Sequence, residues 1–444
     1  MKLSVVVIGS GGREHALAVA LSRDPEVMSV HVAPGNPGTW ALSQHYGVEQ
    51  GGALWRTMSE LNPLDSIAVI NLAKELGADL VVIGPEAPLV AGVADAVRAR
   101  GIACFGASAE AARLEGSKQF AKQVMAAAGV PTAESYLCDT VEDVEQVLDT
   151  FGPPYVVKMD GLAGGKGVVV TTDKAQALAH ARSAEEVLVE EYLDGPEVSL
   201  FAVCDGNHGI PLLPAQDFKR AGEGDTGPNT GGMGAYCPLP WAPQGLTEAV
   251  MDRVVDPVLA EMNRRGTPFQ GLLYVGLACT SKGLKVVEFN ARFGDPETEA
   301  ILPLLQSNLG QVLYAAATGS LADIPPLTWE DDFSVTVVDA ADGYPGIPEK
   351  GGRIVLPVPA GTKGTGEGQA NDVQIIQCGT ALDSAGNLVA SGGRVLAVTA
   401  RGDTLAQARA AAYAMVDQIS FPTGFVRRDI AQKAAEGLIP TPAI

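Results

Sequence analysis

The sequence predicts a multidomain chain of mixed α/β and α+β class. A Rossmann-like parallel sheet comes first, then a mixed section around a glycine-rich hairpin, then a β-rich section. Three observations predict it. At 444 residues the chain is too long for one ordinary core, since domains run to roughly 100–200 residues. The amino-terminal quarter alternates valine-rich runs with helix-like segments, the rhythm of a doubly wound sheet. A proline-rich break, PPLTWEDD at 325–332, precedes a stretch dense in strand-like runs with one late helix pattern. The expected domains are residues 1–103, 104–325 and 326–430, with a lid subdomain at about 124–192.

In order, LSVVVIG reads as a buried strand, REHALAVALSR as a helix, VMSVHVA as a second strand, SIAVINLAKELGA as a helix, DLVVIGPE as a third strand and VADAVRARG as a further helix. Ligands of such sheets lie beyond the carboxyl ends of the strands, where residues 9–15, 33–39 and 84–89 fall. In the second section SKQFAKQVMAAAG (117–129) is helical. The stretch VLVEEYLDGPEVSLFAVC reads as two strands around a Gly-Pro turn, residues 216–236 as a long surface loop, and LKVVEFN as a strand. The late helix is TLAQARAAAYAMVDQ.

Hydrophobic residues make up 46% and charged residues 19%, enough apolar material for large cores. The 31 Lys and Arg stand against 52 Asp and Glu, a net charge of −21 that repels polyanions and argues against nucleic acid or an anionic membrane as partner. Any phosphate must then be met by a local pocket. The six cysteines form no CxxC pair and read as core residues of a reducing compartment. The chain opens directly on a strand and holds no apolar run near the ~18 residues of a membrane span, so a soluble cytoplasmic protein is expected. A monomer acting on small molecules is the expected form.

The loop Gly9-Ser10-Gly11-Gly12-Arg13-Glu14 imitates a dinucleotide fingerprint but places Glu14 where the last glycine belongs, and no acidic residue follows the second strand. That weakens an NAD oxidoreductase reading. Backbone N–H groups at a helix start, with Arg13 beside them, suit a phosphomonoester instead. The stretch KMDGLAGGKGVVV is no P-loop: three residues, not four, separate Gly161 from Gly165-Lys166, and Gly167 stands where a hydroxyl should hold magnesium. Valine runs on both sides put its glycines at the tip of two strands, where a mobile hairpin can close over nucleotide phosphates with Lys158 at its base.

Alternation in VVEFN puts Glu288 and Asn290 on one strand face and Phe289 on the other, two hard oxygens that suit magnesium. Arg292, Asp295 and Glu297 crowd the next loop. DTGPNTGGMGAY (225–236), led in by Lys219 and Arg220, is too glycine-rich for a core and makes an anion site. The five histidines form no metal pair, and no GxSxG elbow occurs. Phosphate cradles, a metal pair and cations without a covalent nucleophile fit phosphoryl transfer by positioning and electrostatics.

Together GSGGREHA, APGNPGT, GPEAPLVAGVAD, LEGSK, KMDGLAGGKGV, VEEYLDGPEVS, DTGPNTGGMGAY, EFNARFGDPE and SGGRVLAVTARG resemble the phosphoribosylamine–glycine ligase (glycinamide ribonucleotide synthetase) family of the ATP-grasp superfamily, in order, from Met1 to about Asp429. The resemblance implies an ATP-grasp fold with a hairpin lid. It also implies a monofunctional ligase that joins glycine to 5-phospho-β-D-ribosylamine through a glycyl phosphate, with ATP and Mg2+ or Mn2+. Carried residue by residue, it implies nucleotide contacts at Lys118, Lys158, Gly161, Gly164, Gly165, Lys166 and Gly167. It implies an adenine hinge at Glu190, Glu191, Tyr192 and Leu193, ribose contact at Glu197, and metal at Glu288 and Asn290. Lys219, Arg220, Arg292 and Asp295, with Asn229, Thr230, Gly231 and Gly232, would surround the reacting groups. Gly11, Gly12, Arg13, Asn36 and Glu86 would shape the ribosylamine phosphate site. Two departures stand out: EQGGALWRTMSE (49–60) is extra and read as a surface excursion, and HARSAEEVLVEEYL lacks a glycine-containing segment beside the lid.

Overall fold

The computed structural model describes residues 2–45, 54–57, 60–161, 167–184, 186–357 and 373–444. The first section forms a parallel sheet in the order Leu54–Thr57, Val27–Pro34, Leu3–Gly9, Leu80–Ile83, Ala103–Phe105. Leu3–Gly9 is buried throughout, because helices cover both faces of a parallel sheet and a continuous apolar run satisfies both. Val5, Val6, Val7 and Ile8 are all at 0% exposure, each contributing about 1.5–3 kcal/mol of burial. Strand order reverses between Leu3–Gly9 and Leu80–Ile83, so the crevice of this sheet opens at Gly9 and Gly84. The edge strand Leu54–Thr57 corrects one expectation: this part of the extra segment extends the sheet, while 49–53 and 58–59 lie outside the described residues.

A four-stranded sheet follows, ordered Gly209–Pro211, Glu197–Asp205, Gln270–Thr280, Gly283–Asn290, all antiparallel. A second four-stranded sheet is ordered Ser135–Cys138, Val187–Glu190, Tyr155–Met159, Val168–Thr171 and has its own small core with Val144 and Leu148 of the helix Val141–Phe151. The hairpin is there: Tyr155–Met159 pairs antiparallel with Val168–Thr171, Lys158 opposite Val168. Val187–Glu190 and Glu197–Asp205 lie in different sheets, so the Gly-Pro stretch between them is a crossing from lid to body, not a hairpin turn.

The carboxyl-terminal sheet runs Gln216–Asp217, Gly234–Cys237, Phe333–Ala341, Arg394–Gly402, Val373–Gln377, with Gly424–Val426 also on Phe333–Ala341. The helix Leu405–Val416 packs on it through buried Ala408 and Ala412. Its first two strands come from the stretch expected to be a loop. Residues 216–236 instead hold these strands and a hairpin of Arg220–Gly222 with Thr226–Asn229, because backbone groups carried this close to a core need partners.

Candidate active site

The strand Gly283–Asn290 positions the expected metal pair by an irregularity. Glu288 pairs with Gly276 but Val286 pairs with Leu277, which leaves Val287 as a bulge. Leu284, Val286, Phe289 and Ala291 therefore all join one core, and Glu288 and Asn290 face away from it. The Val287 carbonyl freed by the bulge accepts from Lys158 Nζ at 3.2 Å.

Lys158 is 5% exposed on the hairpin strand and its ammonium lies 2.7 Å from Glu190 Oε2. Lys122 Nζ lies 2.8 Å from the other oxygen. Burial works against charge at Glu190, but Lys158 and Lys122 outweigh it and hold the carboxyl below its usual range. Lys118 sits one helical turn before Lys122 at the start of the helix Lys118–Ala128, where Asp160 accepts from the Lys118 N–H at 2.5 Å and from Ser117 Oγ at 3.0 Å. Its ammonium donates to Gly161 O at 3.1 Å; burial lowers its affinity for a proton, with the charge of Glu288 opposing. Gly161 and Gly167 close the described ends of the hairpin, and Gly164, Gly165 and Lys166 lie outside the described residues.

The expected hinge is tied down at Glu191, whose N–H donates to Glu134 O at 2.9 Å and whose carboxylate meets Lys285. Tyr192 is half-exposed, and Leu193 is partly buried. Glu197 begins the first long body strand, 3.8 Å from Lys219 Nζ. Lys219 itself is gripped by both oxygens of Asp217 at 2.8 Å; burial opposes its charge, but Asp217 leads neighbours that raise its pKa well above the ordinary value. Buried Ser199 hydrogen-bonds Tyr274 at 2.9 Å and Glu297 at 3.2 Å nearby.

Arg220 points elsewhere, donating to Gly227 O at 2.8 Å and to Val170 O of the lid at 3.4 Å. Asn229 reaches Val168 O at 3.5 Å. Thr230 is buried, with its hydroxyl on Lys219 O at 2.9 Å, and the Gly232 N–H donates back to that hydroxyl at 3.0 Å.

A second network joins the three sections. Arg292 lies 3.0 Å from Glu115, 3.5 Å from Glu86 and 3.3 Å from Asn290 Oδ1. Arg13 lies 3.7 Å from both Glu86 and Asp295 and donates to Phe293 O at 2.9 Å. Arg394, from the carboxyl-terminal sheet, holds Asp295 Oδ1 at 3.1 Å and Gly231 O at 2.6 Å, and the Gly231 N–H donates to Tyr344 at 2.8 Å. Burial favours a neutral Asp295, yet Arg394 and Arg13 outweigh it and hold it ionised.

Glu14 explains the altered fingerprint. Its carboxylate accepts from the Gly11 N–H at 2.6 Å and fills the crevice between Gly9 and Gly84, where a Cβ on Gly84 would stand 2.0 Å from Oε1. Burial pushes it up to about 7, against the charge of Arg13. A Cβ on Gly12 would meet Glu299 at 2.3 Å and Cys378 at 2.7 Å, so this helix start is already lined by carboxyls. Asn36 is spent on structure, its amide bridging Ser10 O at 2.9 Å and Gln377 O at 2.8 Å.

Sequence reasoning missed Lys122, Asp217, Glu115, Arg394 and Tyr344 as members of these networks. Lys122 had a signal, the i,i+4 spacing from Lys118. Arg394 lies in SGGRVLAVTARG, a motif that marks the family without giving the residue a role, and only tertiary packing brings it and Tyr344 in. Among the described residues no cluster of three or more His, Cys, Asp or Glu could hold a metal. Glu288 and Asn290 still fit a hard cation that draws its other oxygens from phosphates and water. No helix among the described residues is long and apolar enough to cross a membrane.

Residues 3–115, 116–298 and 334–433 match the N, ATP-grasp (A) and C domains of phosphoribosylglycinamide synthetase. The phosphoribosylamine–glycine ligase of Streptomyces coelicolor is 54% identical over 433 residues, covering 98% of this chain and 100% of the relative. That of Mycobacterium bovis is 54% identical over 446 residues, with the same coverage of both chains. The crystal structure of the Thermotoga maritima phosphoribosylamine–glycine ligase superposes with a TM-score of 0.78 at 33% identity, covering 97% of this chain and 100% of that one. Biotin carboxylase of Campylobacter jejuni, at 15% identity and a TM-score of 0.70 over 99% of this chain and 98% of its own, shares the fold.

Proposed function

The chain belongs to the phosphoribosylamine–glycine ligase family, ATP-dependent ligases of purine biosynthesis, and on that premise we propose how its residues divide the reaction. Glycine's carboxylate attacks the γ-phosphorus of ATP, ADP leaves, and the nitrogen of 5-phosphoribosylamine then displaces phosphate from glycyl phosphate. Neither step needs a protein nucleophile. The chain's part is to bind, align and exclude water.

Lys118 and Lys158 meet the nucleotide phosphates under the lid strands Tyr155–Met159 and Val168–Thr171, and nucleotide takes over the ammonium that Glu190 now holds. Residues 190–193 face the adenine and Glu197 the ribose. Glu288 and Asn290 would hold Mg2+ or Mn2+, which when bound would neutralise charge on the transferring phosphoryl group. Lys219, Asp217, Arg292 and Asp295 surround the reacting carboxylate and amine. The glycine loop with Arg13 and Glu86 receives the phosphoribosyl end, braced by Asn36. Thr230, Gly231 and Gly232 complete the wall around the reacting groups, and Arg220 and Asn229 tie that wall to the lid strand. All six cysteines are unpaired, which supports a cytoplasmic setting.

One observation carries the reading: the ion pairs Arg13–Asp295–Arg394 draw all three sections together, and Arg292, which shares Glu86 with Arg13, reaches Asn290. ADP release that requires glycine and phosphoribosylamine together is the expected assay result. Release undiminished without either would reject it.

A further inference from the structure

We propose that Arg394 and Tyr344 of the carboxyl-terminal domain are positioning residues of the ligase site, which set the seat of the amine substrate without touching ATP. The inference rests on the reading above that Arg13 and Asp295 face the phosphoribosylamine.

Arg394 leaves its strand at the first residue, after Gly392 and Gly393, and its guanidinium makes three contacts in another domain. It pairs with the Asp295 carboxylate at 3.1 Å, donates to the Asp295 carbonyl, and donates to Gly231 O at 2.6 Å. Tyr344 completes the clasp by accepting from the Gly231 N–H at 2.8 Å. The fit is close. A Cβ on Gly231 would stand 3.1 Å from Arg394 Cζ and 3.2 Å from Tyr344 Oη, and a Cβ on Gly393 would enter the Tyr344 ring at 2.2 Å.

Asp295 is thus shared between Arg394 and Arg13, 3.7 Å away at the start of the helix Gly12–Arg23 that follows the first strand of the parallel sheet. A planar guanidinium holds the carboxylate on one nitrogen and two carbonyls on the other in a fixed fork, a spread that the single nitrogen of an ammonium does not reproduce. Loss of the clasp lets Asp295 swing toward Arg13 and loosens residues 229–232, while Lys118, Lys158 and Glu190 keep their partners. The prediction is a split between substrates.

The test measures KM for each substrate, the ratio of ADP to glycinamide ribonucleotide, and the melting temperature, for the full chain and for Arg394→Lys, Tyr344→Phe and Asp295→Asn. For Arg394→Lys, KM for phosphoribosylamine is expected to rise about tenfold with ATP and glycine KM within about twofold, and more than one ADP to be released per product as glycyl phosphate is lost to water. Tyr344→Phe should show the same split more weakly. The double variant Arg394→Lys/Asp295→Asn should cost less than the sum of its parts. Unchanged KM values and coupling would overturn the proposal. A fall in kcat with melting temperature, equal for all substrates and additive with Asp295→Asn, would also overturn it by making the clasp purely structural. A wild-type chain that makes no product from ATP, glycine and phosphoribosylamine would instead reject the underlying reading.

Discussion

Lys158 Nζ lies 2.7 Å from Glu190 Oε2, a buried ion pair joining the lid hairpin to the strand that leads out of the lid. Lys122 completes it from the body. Glu190→Gln leaves two buried ammonium groups without their carboxylate, so a loss of about 3–5 kcal/mol is expected, since breaking a buried pair strands its partners. Denaturant unfolding measures the loss, and KM for ATP should rise with it. A variant as stable as the wild type would show that the triad does not support the lid.

Glu288→Ala removes one of two oxygens that the Val287 bulge turns off the core. Turnover is expected to fall at least about hundredfold, the scale of losing one group that stabilises developing charge. The circular dichroism spectrum and melting temperature should hold, because Glu288 is outside the core. A magnesium titration that saturates at the wild-type concentration would contradict the metal assignment.

Stability should depend on Glu14. Its carboxyl is pushed from 4.5 up to about 7 by burial, with Arg13 opposing, so its contribution is fully present below about 4.5 and is lost as pH rises through about 7. The size is about 3 kcal/mol. Asp339, also pushed up to about 7 by burial, adds loss in the same direction. His15 works the other way. Burial lowers it to about 4, and its contribution is present above 6.5 and lost as pH falls through about 4. Glu14→Gln keeps an acceptor for the Gly11 N–H and should flatten the decline between about pH 4.5 and 7 in denaturation curves. An unaltered decline would remove Glu14 as its cause.

Gly195 lies on the crossing from lid to body with φ at +87°, and a Cβ there would stand 2.0 Å from the Cys279 carbonyl. Gly195→Ala should destabilise the chain by at least about 2 kcal/mol, combining left-handed strain with a backbone clash. Calorimetry checks it. A neutral result would mean that the crossing adapts freely.

The parallel sheet is legible in the sequence because strands buried on both faces must be continuous apolar runs, as LSVVVIG and DLVVIG are. The hairpin is legible from the valines flanking its glycines. The strands within 216–236 are not, because Gln216–Asp217 and Thr226–Asn229 are short and polar with no apolar alternation, the first pairing across the loop with Gly234–Cys237 and the second in a local hairpin with Arg220–Gly222. The bulge at Val287 is invisible too: VVEF alternates in either register, and only pairing with Gly276 and Leu277 shows the offset. In the candidate site, motif residues such as Lys158, Glu288 and Arg292 could be named from local pattern. Arg394 sits at the start of an ordinary valine-rich strand, and its reach to Asp295 is a property of packing alone.

In the proposed reaction this site activates glycine by phosphorylating its carboxylate before the amine attacks. Glycine labelled with heavy oxygen in its carboxyl group tests it directly, with the released phosphate read by mass spectrometry. One labelled oxygen is expected in each phosphate formed. Phosphate free of label, with glycinamide ribonucleotide still produced, would contradict it.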